Sequence, residues 1–261
     1  MFLKMIPIWA AAGLLVVLPT IIAMAGPLIV RRFVPLKRLT TNNEVAGFKF
    51  ATVGVLYAVL LAFVVIVVWE KFSDAEDDVS REAGAAATIY RLVEGIDGDP
   101  GPSMRTAMTG YLEAAAKDDW ASMRVGKASP VATHALDRMY EIVLTYKPAD
   151  SRGAAILSEI LRQLSVITEA RRGRLVKAAG IVPDVIWCVL YGGAMLTVGF
   201  TFFFGAENLR AQSMMTGALG LLIFSALLVI VSIDHPFAGA VRVEPHALHD
   251  VVVDLTHRQG R

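Results

Sequence analysis

Several residue types and motifs that carry chemistry in other proteins are scarce or missing in this chain. Its 261 residues include one cysteine, Cys188, so neither an internal disulfide nor a thiol-based zinc site can form within one chain. The five histidines show no metal-ligand spacing, and no phosphate loop, nucleophile elbow or zinc-protease motif occurs. The net charge of +1 offers no overall attraction for nucleic acid. These absences predict a protein that is not an enzyme, uses no cofactor and has no nucleic-acid partner.

Charged residues are also scarce. They make up 19% of the chain, against about 25% in a typical soluble domain, while 55% of the residues are hydrophobic. The mean hydropathy is +0.55. The apolar residues are concentrated in four uncharged runs, each close to the ~20 residues that cross a bilayer core as a helix. The sequence therefore predicts a multi-pass membrane protein with spans at residues 6–30, 50–69, 185–204 and 211–233.

The first of these runs has an alternative interpretation. Lys4 precedes it, and Ala23-Met24-Ala25 matches the A-x-A pattern of signal-peptide cleavage, so residues 1–25 could be removed. The apolar run is long for the hydrophobic region of a signal peptide and continues past that site to Val30. We therefore interpret it as a transmembrane helix.

None of the four predicted spans contains Asp, Glu, Lys, Arg or His. Ionisable groups inside the membrane mark proton relays and coupled transport, so their absence argues against both. Two interpretations stay open: the spans line a passive pore that gates by wetting, or they only face lipid and each other. Small residues in the third and fourth spans favour close helix packing over a hinge. They are Gly192, Gly193, Ala194, Gly199, Gly217, Ala218 and Gly220.

The second span organises the rest of the chain. No helix-stopping residue follows Trp69, so one helix is predicted to leave the membrane there and to continue to about Glu94. Residues 70–184 are predicted to form a helical soluble insert. The other predicted domains are a first transmembrane pair in residues 1–69, a second pair in 185–233, and a C-terminal turn with an amphipathic tail in 234–261.

Apolar residues at helical spacing divide this insert into further helices. A break at residues 97–102 precedes a helix that Ser103 is predicted to cap. Its buried stripe consists of Met104, Met108, Tyr111, Leu112 and Ala115. The stripe of the next helix consists of Ala132, Leu136, Met139, Val143 and Tyr146. The last helix is predicted to start at Asp150 or Ser151 and to carry Leu157, Leu161 and Leu164, flanked by Ile156, Ile160 and Ile167.

Lysine and arginine counts address the orientation of the chain. An even number of spans places both termini and the insert on one face, and the cytoplasmic face carries the excess of Lys and Arg. Eight such residues lie near the membrane on the insert side and six on the other side, which favours a cytoplasmic insert. The six are Arg31, Arg32, Lys37, Arg38, Lys49 and Arg210.

Two charged clusters lie within the insert. The acidic run at residues 74–78 could bind cations or screen a pore mouth, but it lacks the spacing of a calcium loop. We interpret it as a solvated face, or as an internal salt bridge such as Asp77–Arg81. The basic cluster at residues 171–177 is interpreted as an anchor on anionic lipid headgroups. Attraction of anions toward a pore mouth is the alternative for this cluster.

Several stretches together resemble the bacterial membrane-protein family of unknown function called bestrophin-like. They are residues 54–70 with the Ala- and Glu-rich continuation through Glu82, the Asp119-Trp120 pair, Arg171-Arg172-x-Arg174-Leu175 with Pro183 and Trp187 downstream, and Asp234-x-Pro-Phe-x-Gly239. The resemblance covers nearly the whole chain. Bestrophin anion channels are distantly similar, with two spans, a helical cytosolic insert, two more spans and a Pro-Phe-Gly turn.

The resemblance implies a bestrophin-like, all-α membrane protein that assembles around a central axis, as a pentamer in bestrophins. It implies an inner-membrane channel for chloride or other small anions, with a pore lined by the second span. The implied pore-lining residues are Leu60, Phe63, Val64 and Val67. The candidates at the membrane exit and in the insert are Trp69, Glu70, Asp74, Glu82, Arg171, Arg172 and Arg174. Those in the turn after the fourth span are Asp234, Pro236, Phe237 and Gly239.

The sequence departs from metazoan bestrophins after that turn. Those proteins carry an acidic calcium-binding run there, whereas residues 240–248 read AVRVEPHAL, so calcium gating is not expected. No ring of aromatic pore residues is visible either. A second function therefore stays open, in which the protein is a non-conducting membrane scaffold and the insert binds a protein partner.

Overall fold

The structure is a computed structural model that describes residues 7–41, 43–96, 98, 100–239 and 241–259. All regular elements in these ranges are helical, and no described residue lies in a β-strand. The predicted all-α fold is therefore confirmed. Lys4, the start of the predicted first span, and Asp97 and Asp99 of the predicted break lie outside the described residues.

The described residues form ten helices. They are α1 (Ile8–Phe33), α2 (Leu36–Thr40), α3 (Asn43–Val93), α4 (Pro100–Ala114), α5 (Trp120–Met123), α6 (Pro130–Thr145), α7 (Ser151–Ala178), α8 (Asp184–Thr201), α9 (Leu209–Ile233) and α10 (His246–Gln259). Two short stretches are π-helical, Gly13–Val17 inside α1 and Ala115–Asp119 between α4 and α5.

Four of these helices, α1, α3, α8 and α9, are long and apolar enough to cross a membrane. Each contains most of one uncharged run identified in the sequence, which confirms the prediction of four candidate spans. Helix α8 ends at Thr201, three residues before the end of its uncharged run. Helix α9 starts earlier than predicted because the Asn208 side chain accepts hydrogen bonds from the backbone N–H groups of Arg210 and Ala211.

Helix α3 is a single helix of 51 residues. At about 1.5 Å per residue it is roughly 75 Å long, which is more than twice the hydrocarbon thickness of a bilayer. It passes Trp69 without interruption, as the absence of a stop signal predicts, and it ends at Val93, one residue before the predicted end.

The chain divides into two compact units. Residues 1–70 and 181–234 form the first, here called the span unit, and residues 71–180 and 235–261 form the second, here called the insert unit. The C-terminal segment thus clusters with the residues of the predicted insert.

Close helix contacts in the span unit occur at glycines. A side chain at Gly217 of α9 would meet Met24 of α1, and one at Gly220 would meet Ala23. Gly193 of α8 lies against the ring of Tyr57 of α3, whose hydroxyl donates a hydrogen bond to the carbonyl of Leu190 at 2.8 Å. By contrast, Gly192 and Gly199 have open space around them. Small residues therefore serve helix packing at some, but not all, of the predicted positions.

Apolar stripes build the core of the insert unit. Helix α3 contributes buried residues that continue at helical spacing after Trp69: Phe72, Ala75, Val79, Ala86, Ile89 and Val93. All five stripe positions predicted from Met104 to Ala115 are buried. In α7 the buried positions are Ile160, Leu164 and Ile167, whereas Leu157 and Leu161 are half-buried.

The start of α4 differs from the prediction. The helix begins at Pro100, so Ser103 lies inside its first turn and is not the N-cap. Proline suits the first turn, because the N–H that it lacks would have no partner there. Two other helices have conventional caps: Ser129 accepts from the N–H of Val131, and Asp150 accepts from the N–H of Gly153.

Candidate pore face and buried ion-pair cluster

The four predicted pore-lining residues lie on one face of α3, since their positions follow the spacing i, i+3, i+4 and i+7. Phe63 is 65% exposed and Val67 is 49% exposed, while Leu60 and Val64 are half-buried. The two half-buried residues lie beside the buried positions of the same helix, Tyr57, Leu61 and Val68. Phe63 and Val67 therefore present apolar surface, and Leu60 and Val64 flank it.

Exposed apolar surface on α3 extends beyond these four residues. Val55 is 63% exposed, and Leu56, Val59 and Ile66 are exposed as well. No residue between Phe50 and Trp69 carries a charge. A helix with this much apolar surface outside the core of its own chain is suited to contact lipid, a pore or further copies of the chain.

The acidic run that follows Trp69 is not uniformly solvated. Trp69 and Glu70 are exposed, and Asp74 accepts a hydrogen bond from Lys71 at 3.0 Å. Asp78 is buried and pairs with Lys177 of α7 at 2.6 Å.

The predicted Asp77–Arg81 pair is wrong. Arg81 lies 3.9 Å from Asp78, while Asp77 is exposed. The spacing of three residues brings Asp78 within reach of Arg81, as on any helix surface.

Two residues of the basic cluster of α7 do not fit the predicted lipid anchor. Arg171 is buried and Arg174 has 0% of its surface exposed, so neither can reach a headgroup or a pore mouth. Arg172, between them, is exposed. Arg171 and Arg174 follow Leu164 and Ile167 by seven residues and thus continue the buried stripe of α7.

Both arginines are paired with buried carboxylates. Arg174 binds Glu82 of α3 with two hydrogen bonds, from Nε to Oε2 at 2.6 Å and from Nη2 to Oε1 at 2.8 Å. Arg171 binds Asp119 in the same way, at 2.7 and 3.1 Å. Arg174 also lies 3.7 Å from Asp119, which joins the two pairs into one cluster.

Neutral groups form further hydrogen bonds with this ion-pair cluster. The Tyr111 hydroxyl donates to Oε1 of Glu82 at 2.6 Å, and the backbone N–H of Ser129 donates to Asp119 at 2.9 Å. Arg171 donates a further hydrogen bond to the Thr133 hydroxyl at 3.0 Å. A buried charge is tolerated when it is paired and hydrogen-bonded, and all four charged groups meet that condition.

Trp120 connects the ion-pair cluster to the segment that follows the fourth span. The Arg174 guanidinium lies over the Trp120 ring at 4.8 Å from its centroid. The indole N–H donates to the Val243 carbonyl at 3.2 Å, and the ring packs edge-on against Phe237 at 5.6 Å. Residues far apart in the sequence thereby meet in one place.

The turn after the fourth span has a defined geometry. The Asp234 carboxylate accepts hydrogen bonds from the N–H groups of Ile181 and Val182, at 3.1 and 2.7 Å. Phe237 is buried, and the Pro236 carbonyl accepts from the N–H of Val243 at 2.7 Å. Gly239 has φ +109°, a backbone conformation that side-chain-bearing residues rarely adopt.

The surroundings of Tyr111 and Arg174 shift the pKa values of both side chains upward. Burial, together with the negative charge of Glu82, raises the pKa of Tyr111 well above its ordinary value, so its hydroxyl stays protonated and donates. Burial alone would lower the pKa of Arg174, but the Glu82 carboxylate outweighs burial and raises that pKa. Each arginine is paired with a carboxylate, which suits a role in holding the helices of the insert unit together.

Sequence reasoning found most members of this cluster and assigned them other roles. Glu82, Arg171 and Arg174 were candidates, but the arginines were assigned to lipid. Tyr111 was predicted to be buried, without a role for its hydroxyl. The informative signal was periodicity, because the arginines occupy buried-stripe positions of α7. Among the described residues, no group of three or more His, Cys, Asp and Glu side chains is arranged to hold a metal ion.

The elements and contacts above define a class: an all-helical membrane protein with four candidate spans and a helical unit held by a buried ion-pair cluster. The chain belongs to the bestrophin-like family, since the model of the Bestrophin-like domain matches residues 17–248. No curated protein matched the sequence.

Solved structures share this fold. A crystal structure of a bacterial bestrophin homologue from Klebsiella pneumoniae, obtained by Zn-SAD phasing, aligns with a TM-score of 0.70 at 12% identity, over 94% of this chain and 98% of that chain. A single-residue mutant of the Klebsiella pneumoniae homologue aligns with a TM-score of 0.71 at 12% identity, over 94% of this chain and 99% of that one. At this identity the likeness establishes the fold.

Proposed function

We propose that the protein is a subunit of a homo-oligomeric anion channel, or passive pore, in the inner membrane. The insert unit lies on the cytoplasmic side in this proposal, and chloride or another small anion is the permeant species. The proposal assigns no catalytic step to any residue.

One observation carries the proposal: in a bestrophin-like chain, α3 presents an uncharged span with an exposed apolar face. Phe63 and Val67 are the exposed members of that face. If copies of the chain surround an axis with α3 innermost, these side chains form an apolar ring. A hydrophobic constriction gates by dewetting, so water and ions pass only when the ring widens or becomes more polar.

Polarity at this ring is therefore the variable to test. Val67→Ser replaces two methyl groups with one hydroxyl, so the side chain becomes smaller and more polar, and both changes lower the cost of wetting the constriction. We expect chloride efflux from liposomes holding Val67→Ser to exceed that of the wild type several-fold.

The matched control is Val55→Ser on the same helix. Val55 is also an exposed valine in the uncharged span, but helical geometry places it roughly 130° around the axis from the centre of the predicted face. We expect wild-type flux from Val55→Ser. Equal increases from both variants would contradict the assignment of the pore face. An absence of flux from every form, with the oligomer intact by gel filtration, would favour the scaffold function instead.

A further inference from the structure

An apolar cavity opens beside one end of the span unit. It has a volume of about 580 Å³, within the range of ligand-binding pockets. It is lined by Ala46 of α3, by Met195, Leu196 and Gly199 of α8, and by the aromatic residues Phe202 and Phe203 just beyond α8. None of these side chains is charged or hydrogen-bonding, so the cavity suits a hydrocarbon chain.

Two segments next to the cavity wall are rich in positive charge: residues 31–49, which include Ala46, and residues 205–210, which follow Phe203 closely in the chain. Residues 31–49 and 205–210 contain six basic residues, Arg31, Arg32, Lys37, Arg38, Lys49 and Arg210, against two acidic residues, Glu44 and Glu207. Lys49 is exposed and lies on α3 one turn after Ala46, which lines the cavity. Within the described part of the chain, neither Lys49 nor Arg210 forms an ion pair.

Short contacts hold the two segments together. The Asn43 side chain exchanges two hydrogen bonds with the backbone of Gly205, at 2.7 and 2.9 Å. The Arg31 guanidinium donates to the Ala206 carbonyl at 2.5 Å. Phe50 packs against Phe204, with ring centroids 5.5 Å apart. The cavity wall and its cationic surroundings are thus built from the same few segments.

We infer that this cavity binds one acyl chain of an anionic phospholipid, whose phosphate pairs with Lys49 and the neighbouring arginines. An apolar cavity beside unpaired cations matches the two parts of such a lipid, and each juxtamembrane cation adds attraction for an anionic headgroup. A second copy of the chain is the poorer occupant, because it would bring its own excess of basic residues to this end. The inference holds whether or not the protein conducts.

Gly199→Leu fills the cavity and is the main test. A Cβ at Gly199 meets no atom within 4 Å, so a side chain can start there without a clash and extend into the cavity that Gly199 lines. Gly192→Leu is the matched control: it lies two turns earlier on α8, has equally open surroundings and does not line the cavity. Lys49→Gln removes the proposed phosphate partner and leaves the cavity intact.

The measurement is native mass spectrometry of detergent-purified protein, followed by titration with phosphatidylglycerol, phosphatidylcholine and inorganic phosphate. We expect the wild type and Gly192→Leu to retain phospholipid and to prefer phosphatidylglycerol. Gly199→Leu is expected to lose the bound lipid, and Lys49→Gln to reduce the preference for phosphatidylglycerol several-fold.

Three results would overturn the inference. The first is lipid retention by Gly199→Leu at the wild-type level. The second is binding of inorganic phosphate as tight as that of phosphatidylglycerol, because the acyl chain would then contribute nothing. The third is dissociation of the oligomer in Gly199→Leu but not in Gly192→Leu, which would make the cavity a contact between copies of the chain.

Discussion

Arg174 illustrates how a fully buried charge is held in this protein. Its planar guanidinium places two parallel hydrogen bonds on Glu82 while its face rests on Trp120. A lysine could not reproduce this arrangement. Its ammonium is a compact point charge, so it cannot form two parallel hydrogen bonds to a carboxylate and stack a planar face on an aromatic ring. Removing one partner of a buried ion pair is costly because the other charge is then left without compensation.

The first prediction concerns this pair. Arg174→Met leaves Glu82 buried without its cation, and we expect it to lower the free energy of unfolding by about 3–5 kcal/mol. The double variant Glu82→Gln with Arg174→Met removes both charges, so it is expected to recover part of that loss. Thermal unfolding of the detergent-solubilised protein, followed by gel filtration, measures the ranking.

An exposed pair on the same helix serves as the control. Arg162 and Glu159 form an ion pair of similar length on the surface of α7, where water screens the interaction. We expect Arg162→Gln to unfold at the same temperature as the wild type. If Arg174→Met were equally stable, the buried pair would contribute nothing to the fold.

At the scale of single residues, burial was easier to predict from the sequence than pairing. The stripe from Met104 to Ala115 follows from spacing alone, because an amphipathic helix must turn those positions inward. Pairing between Glu82 and Arg174 depends on contacts between α3 and α7, and neither helix encodes its neighbour. The sequence could show that Arg174 was buried, but not with which carboxylate.

Helix α8 shows how neighbouring glycines can have different roles. Gly193 lies against the Tyr57 ring, which cannot move aside freely because its hydroxyl binds the Leu190 carbonyl. Gly192, one position earlier, is exposed with open space around it. Successive residues on a helix point about 100° apart, so only one of the two faces α3.

The second prediction tests that difference. Gly193→Ala is expected to force α3 and α8 apart and to destabilise the protein by about 1–3 kcal/mol, the usual cost of overpacking. Gly192→Ala is expected to leave stability unchanged. Fluorescence-detected gel filtration after heating compares the two variants, and equal losses from both would show that Gly193 is not a packing contact.

Whole helices were predicted more closely than their ends. The uncharged runs locate α1, α3, α8 and α9, because a bilayer core requires about 20 apolar residues in succession. The ends of helices depend on local start and stop signals, and the sequence does not show which of several neighbouring signals is used. The start of α4 at Pro100 is an example. The sequence predicts Ser103 as the N-cap of α4, whereas the helix starts at Pro100 and has its prolines in the first turn.

At the scale of the whole molecule, the all-α fold with four candidate spans follows from the sequence because hydropathy and helical spacing are properties of one chain. Assembly and conduction depend on several copies and on the membrane, so they remain proposals. The orientation of the chain can be predicted from the sequence, but only from a small difference, eight lysines and arginines on one side against six on the other.

The third prediction addresses orientation. In a Cys188→Ser background, Lys37→Cys and Lys127→Cys place single exposed thiols in α2 and in the turn after α5. If the insert is cytoplasmic, a membrane-impermeant maleimide applied to intact spheroplasts labels Lys37→Cys. Lys127→Cys should react only after permeabilisation. The reverse pattern would place the insert outside, and equal labelling of both would contradict the predicted number of spans.

The separation of Glu82 from Arg174 has a consequence for biosynthesis. The two residues are 92 positions apart, so at about 5–20 residues per second the carboxylate leaves the ribosome roughly 5–20 s before its arginine. The contacts of Trp120 form later still, because its partners Val243 and Phe237 are translated only after the fourth span. The insert unit therefore cannot complete its core during its own synthesis. We expect a nascent chain truncated before α8 to be protease-sensitive, and protection to appear only after Phe237 and Val243 have left the ribosome.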